Sequence, residues 1–126
     1  FAFTTDAKEK FLPHNYITNC VVYPGTHDND TCLGWFKTAP EKEKEYLLRY
    51  TDTKGENIHW DFIKLAMASV ADMSIYALQD ILGLDTQYRM NMPSKPDGNW
   101  EWRFTSDVLT SELSNKLAIM TKDFGR

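Results

Sequence analysis

The sequence has 126 residues, 42% of them hydrophobic and 25% charged, with a formal net charge of -4. That length suits one domain with a modest core, and the composition lies well away from the low-hydrophobicity, high-charge corner of disordered chains. The acidic balance speaks against a nucleic-acid partner, because such binding depends on Lys and Arg neutralising phosphates.

Phe1-Ala2-Phe3 opens the chain as an apolar, strand-like run, and Thr4 to Asn15, polar and carrying Pro13, reads as a long loop. Ile17 to Tyr23 carries the β-branched residues Ile17, Thr18, Val21 and Val22 and is closed by Pro24-Gly25, the pattern of a buried strand. Asp30 is placed to cap a short helix from Thr31 to about Thr38, and Pro40 to start another over Glu41 to Tyr50. After a turn at Thr51 to Glu56 containing Gly55, Asn57 is placed to cap a helix from Ile58 to about Ser69. Its residues Phe62, Ile63, Leu65, Ala66 and Val70 recur at near-helical spacing.

Met73 to Leu78 is predicted as a second strand, although helix and strand are hard to separate in so short an apolar run. With Ile17 to Tyr23 it completes a strand, helix, strand unit of the kind that builds a parallel sheet. Gly83 to Asn99, dense in Gly, Pro, Asn, Asp and Ser, is a long irregular loop, and loops of that length are usually functional or mobile. Trp100 to Phe104 reads as extended. A last helix begins at Thr110 or Ser111, carries Leu113, Leu117 and Met120, and stops before Gly125.

No stretch approaches the roughly 20 apolar residues that span a bilayer, and no secretory leader pattern opens the chain, so no membrane partner is expected. Cys20 and Cys32 form neither a C-x-x-C pair nor a disulfide framework, which points to a reducing, cytoplasmic setting. The sequon Asn29-Asp30-Thr31 matters only in a secreted protein. With an apolar start and no initiator Met, the chain is expected to be a piece of a longer protein.

The densest polar cluster is Thr26-His27-Asp28-Asn29-Asp30, directly after the first predicted strand. In parallel α/β folds the loops leaving the C-terminal strand ends build the ligand site. A turn followed by a helix cap accounts for the same residues, and local pattern alone favours it. An EF-hand fails, because Leu33 stands where its loop needs Gly and Ala39 where it needs Glu. A transition metal lacks any H-x-x-x-H or C-x-x-C partner, so neither metal nor cofactor is expected.

Trp35, Trp100 and Trp102 lie near the polar loops and offer flat apolar faces suited to sugar rings; ordinary packing is the competing account for each. Asp80 is expected to end the second strand, with Arg89, Asn91 and Asn99 in the loop beyond it, opening on the same rim as His27. An ion pair of Arg89 with Asp80 or Asp85, and turn roles for Asn91 and Asn99, account for those residues without a ligand, and local pattern alone favours them.

The string Val21-Val22-Tyr23-Pro24-Gly25-Thr26-His27-Asp28-Asn29-Asp30-Thr31 with Leu33-Gly34-Trp35 closely resembles the late active-site motif of the amylomaltase family of 4-alpha-glucanotransferases, glycoside hydrolase family 77. The resemblance continues, in the family's order, through Gln79-Asp80-Ile81-Leu82-Gly83-Leu84, Arg89-Met90-Asn91-Met92-Pro93 and Gly98-Asn99-Trp100-Glu101-Trp102-Arg103. Pro24 departs from the family, where Thr is more usual.

The resemblance implies an α/β fold, the C-terminal portion of a (β/α)8 TIM barrel with only its last strands and helices, and residues 1–126 as an incomplete domain. A complete barrel takes about 250 residues. It implies transfer of alpha-1,4-glucan segments to an acceptor sugar with retention, through a carboxylate nucleophile and a carboxylic acid/base. Both of those lie in upstream motifs that this chain does not contain. Asp28 then matches the acid that stabilises the distorted sugar, His27 the histidine that binds it, and Asn91, Asn99 and Trp100 parts of the groove. The partners implied are a maltodextrin, an acceptor sugar, and the missing N-terminal part of the barrel or a second copy. The competing functions are a non-catalytic maltodextrin-binding module and a structural fragment that associates with the rest of the barrel.

Overall fold

In the computed structural model, which describes residues 2–126, β1 (Val21–Val22) and β2 (Met73–Ser74) run parallel, with Val21 opposite Met73 and Val22 opposite Ser74. Three helices connect them: α1 (Cys32–Thr38), α2 (Glu41–Thr51) and α3 (Ile58–Ala68). After β2 come α4 (Leu78–Ile81), a long loop with a 3-10 turn at Thr86–Tyr88, and α5 (Ser111–Asp123). This is the parallel strand, helix, strand unit that the apolar pattern predicts.

The ladder is shorter than the pattern predicts. Backbone bonds from Asp72 to Thr18, Met73 to Cys20 and Ile75 to Val22 extend the pairing slightly beyond the formal strands. Only one face of the pair is covered. Val22 packs with Ala66 of α3 and with Ala71, whereas Val21, Tyr23, Met73 and Ile75, on the opposite face, are 46, 47, 54 and 41% exposed. Alternate residues of a strand point to opposite faces, so one side of each strand is core and the other is bare. The expectation of a fully buried first strand is corrected accordingly, with Ile17 70% exposed.

Helix boundaries follow local chemistry. The cap of α1 is Thr31, not Asp30: the Thr31 hydroxyl accepts from the Gly34 N–H at 3.1 Å, while Asp30 Oδ1 accepts from the Thr31 N–H at 2.8 Å. Pro40 precedes α2, where its missing N–H costs no helical bond, and Glu41 and Glu43 sit in the first turn against the positive end of the helix dipole. That helix ends at Asp52 in the left-handed conformation. Thr110 caps α5 through the Leu113 N–H at 3.2 Å. Leu113, Leu117 and Met120 are only half-buried there, and Arg126 ties the C-terminal end down by donating to the carbonyls of Met67 and Ser69.

The main core gathers Phe3, Leu12, Leu47 and Ile58, with Trp35, Tyr46, Tyr50 and Phe62 around them. Phe3 meets Tyr46, Tyr50 and Phe62 edge-on at 5.7 to 6.0 Å between ring centroids. Ala2 and Phe3 lie in a turn rather than the predicted strand, so this aromatic anchor replaces sheet pairing; Phe1 of that run is outside the described residues.

Two further corrections concern the second half. The apolar run Met73 to Leu78 leaves the strand after Ser74 and enters α4 at Leu78, so Asp80 is a buried helical residue and does not end a strand. Trp100 adopts φ 65, a left-handed conformation, so Trp100 to Phe104 is not uniformly extended and pairs with no strand among the described residues.

Candidate functional site

Two concavities flank β1. The larger, about 920 Å³, runs from Phe3 and Phe11 past Val21 to Phe62 and Leu65 and is chiefly apolar. The smaller, about 520 Å³, opens where both strands deliver their C-terminal ends, and holds Tyr23, Thr26, His27, Asp30, Asp80, Arg89 and Trp100. Convergent polar groups beside an aromatic face mark the second as the candidate site.

The loop after β1 is shaped by its own side chains. Asn29 Oδ1 accepts from both the N–H and the hydroxyl of Thr26, at 2.8 and 2.9 Å. Those bonds turn the chain so that His27 and Asp28 project outward, with side chains 54 and 52% exposed. Asp30 points inward, where its Oδ2 accepts from the Thr86 hydroxyl at 3.0 Å. Gly34 is required beneath this contact, because a Cβ there would overlap both Thr86 Oγ1 and the Asp30 carboxylate. Asp80 closes the anchor from the other side by accepting from the Cys32 N–H at 2.7 Å. Burial raises the Asp80 carboxyl above its ordinary range, the Cys32 N–H bond opposing that rise, and burial likewise pushes the Cys32 thiol well up.

The loop after α4 meets the β1 loop directly. Asn91 Nδ2 donates to Asp28 Oδ1 at 2.6 Å, and the Asn91 N–H donates to the His27 carbonyl at 3.2 Å. Arg89 donates from Nη2 to the Asp28 carbonyl at 2.8 Å and from Nε to the Asn91 carbonyl at 2.9 Å. Trp100 donates its N–H to the Met90 carbonyl, and its ring lies 4.9 Å from that of His27. His27, Asp28, Asn91 and Trp100 are thus brought together on one rim. His27 Nε2 and Asp28 Oδ1 stand 3.4 Å apart, an exposed contact in which solvent screening leaves little net attraction.

Asn99 differs from its companions. Its side-chain Oδ1 accepts from the Met92 N–H at 2.8 Å and its Nδ2 donates to the Lys95 carbonyl at 2.8 Å, so both ends serve its own loop. Asp28, Asn91 and Asn99 do not line the smaller concavity, although their chain neighbours His27, Met90 and Trp100 do. The ion pair expected for Arg89 is also absent: Asp85 pairs with Lys37, which holds its carboxyl below the ordinary range, and Asp80 bonds the Cys32 N–H. Sequence reasoning therefore missed Arg89 as a bridge between loops, and no local pattern in the sequence signals it. Among the described residues, no three His, Cys, Asp or Glu side chains gather to hold a metal ion. No helix among them is long and apolar enough to cross a membrane.

The family model described as 4-alpha-glucanotransferase matches residues 1–110. The chain is 47% identical to a 4-alpha-glucanotransferase of Synechocystis sp. over all of its own length and 25% of that protein. It is 45% identical to one of Clostridium butyricum, again over its whole length and over 26% of that protein. Among solved structures, the amylomaltase of Streptococcus agalactiae in complex with acarbose superposes with a TM-score of 0.94 at 32% identity, covering 99% of this chain and 26% of that one. The chain spans about a quarter of the length of the curated relatives it matches.

Proposed function

The chain belongs to the 4-alpha-glucanotransferase family, and from that premise we propose that residues 1–126 are the C-terminal part of a (β/α)8 barrel that contributes a stabilising carboxylate to glucan transfer. The bare face of the strand pair supports the incomplete domain, since Val21, Tyr23, Met73 and Ile75 present an apolar surface that the remaining barrel strands and their side chains would cover. The acarbose complex of the similar amylomaltase supports a glucan as the ligand.

In this proposal Asp28 acts on the sugar at the cleavage point. Asn91 holds Oδ1 at 2.6 Å, while Oδ2 accepts no protein hydrogen bond among the described residues and is free to receive a sugar hydroxyl. As positive charge develops on the sugar ring, a fixed carboxylate stabilises it more than it stabilises the ground state, so its contribution appears in turnover. His27 contributes a ring nitrogen toward a neighbouring hydroxyl, and Trp100, 53% exposed, offers its ring to the apolar face of a sugar. Asn91 orients Asp28, and Asn99 shapes the groove by bracing its loop. The nucleophile and the acid/base are assigned to the part of the barrel outside this sequence. The free thiols Cys20 and Cys32 support a reducing, cytoplasmic setting.

The observation that carries the proposal is the Asn91 to Asp28 bond, which joins loops 63 residues apart at the end of a parallel strand pair. Incubation of the full-length protein with maltotriose is expected to yield both longer and shorter maltodextrins, and the isolated chain to yield neither. No redistribution by the full-length protein refutes the assigned activity. Redistribution by the isolated chain refutes the assignment of the nucleophile and acid/base to the rest of the barrel.

A further inference from the structure

Arg89 is a half-buried cation that takes part in none of the ion pairs found among the described residues. Its guanidinium instead uses one edge, Nε and Nη2, to reach two main-chain carbonyls on different loops, those of Asn91 and Asp28. A planar guanidinium offers two donors at fixed separation along that edge, a geometry that a lysine ammonium lacks. The carbonyls it holds belong to the two residues whose side chains bond each other at 2.6 Å.

We infer that Arg89 is a positioning residue for glucan transfer: by fixing the main chain at Asp28 and at Asn91 together, it sets where the Asp28 carboxylate stands against the sugar. The inference rests on the proposed role of Asp28. Arg89 touches no reacting atom in this account; it acts through the two loops. The neighbouring bonds have the same sense, since the Asn91 N–H holds the His27 carbonyl and the Trp100 N–H holds the Met90 carbonyl, so the Arg89 edge closes a seam that runs along the rim. Half of its bonding depends on charge-assisted donation to a carbonyl of an exposed loop, which no other side chain among the described residues supplies to Asp28.

The test uses the full-length enzyme with maltotriose and a double-mutant cycle. Arg89→Ala is expected to lower kcat about 10²-fold, the scale of a misplacement of about 1 Å, with KM within about threefold. Arg89→Lys, with one donor point instead of an edge, is expected to lose about tenfold. In an Asp28→Asn background both substitutions are expected to cost no more than about threefold further, because a residue that works through Asp28 has nothing left to place.

An Arg89→Ala enzyme within about threefold of wild type, or one that loses the full factor again in the Asp28→Asn background, overturns the inference. If Arg89→Ala does not fold, Arg89→Lys carries the same test. Equal losses from it in both backgrounds overturn the inference, and a loss confined to the wild-type background supports it. Asp28→Asn with wild-type turnover removes the proposed function itself, whereas a defective Asp28→Asn beside a normal Arg89→Ala removes only the role of Arg89.

Discussion

The helical layer and the strand pair are finished to different degrees within one short chain. Around Phe3, the rings of Trp35, Tyr46, Tyr50 and Phe62 enclose a core in which Leu12, Leu47 and Ile58 are essentially fully buried. On the strand pair, Val22 is buried against α3 while its neighbours Val21 and Tyr23 are half-exposed. Helices α1 to α3 find their partners within the chain, whereas α5 buries no residue and each strand has one neighbour among the described residues. The rim lies between these two regimes, anchored below by the half-buried Asp30 to Thr86 contact and the buried Asp80, and open above at His27 and Asp28.

The aromatic core is the firmest part of the molecule. Phe3→Ala in the full-length protein is expected to destabilise by about 3–5 kcal/mol, the usual range for a buried aromatic, read from the urea unfolding midpoint. A shift near zero would mean that the aromatic cluster closes without its centre. Val21→Ser tests the bare face: it is expected to cost about 1.5–3 kcal/mol in the full-length protein if, as proposed, the rest of the barrel covers that face. A change within about 0.5 kcal/mol, as for an ordinary surface site, would mean that the face stays exposed.

Gly34→Ala joins the two regimes, because its methyl must displace either Thr86 or the Asp30 carboxylate. An overpacking cost of about 1–3 kcal/mol is expected, with a fall in transfer activity measured on the folded fraction. Full activity at unchanged stability would show that the Asp30 to Thr86 contact does not hold the loop. The smallest effect concerns pH. Burial lowers His59 below its ordinary 6.5, with Lys116 acting in the same direction and Asp61 opposing. The unfolded chain therefore takes up a proton before the folded one does, and stability declines as pH falls from 6.5 toward the lowered value. His59→Gln is expected to flatten that slope in unfolding midpoints measured from neutral to mildly acidic pH, and an unchanged slope would assign it to other groups.

Much of this arrangement is legible in the residues. Helices α2, α3 and α5 fall close to the bounds their caps predict, and the parallel strand, helix, strand unit follows from the apolar runs. The strands are shorter than their apolar runs: the bonds between them run only from that of Asp72 with Thr18 to that of Ile75 with Val22, and Pro24 just beyond has no N–H to continue the ladder. The second predicted strand runs past Ser74 to Leu78, the first residue of α4, because six mostly apolar residues carry no period long enough to decide. The cap moved from Asp30 to Thr31 because Asp30 is engaged by Thr86, 56 residues away, a contact no local pattern encodes. Trp100 breaks the extended run for a related reason: its N–H is committed to Met90, and a non-glycine residue in the left-handed region persists only where its surroundings hold it. For the site, His27 and Asp28 stood out as a dense polar cluster after a strand. Arg89 did not, because nothing in a sequence tells an arginine that bridges two carbonyls from one that pairs with an acid.

Turnover and KM of Asp28→Asn in the full-length enzyme with maltotriose test the account most directly. A stabilising carboxylate at the cleavage point predicts a fall in kcat of about 10²–10³-fold, with KM within about threefold and an unchanged unfolding midpoint. Wild-type kcat in a folded Asp28→Asn enzyme would contradict the account.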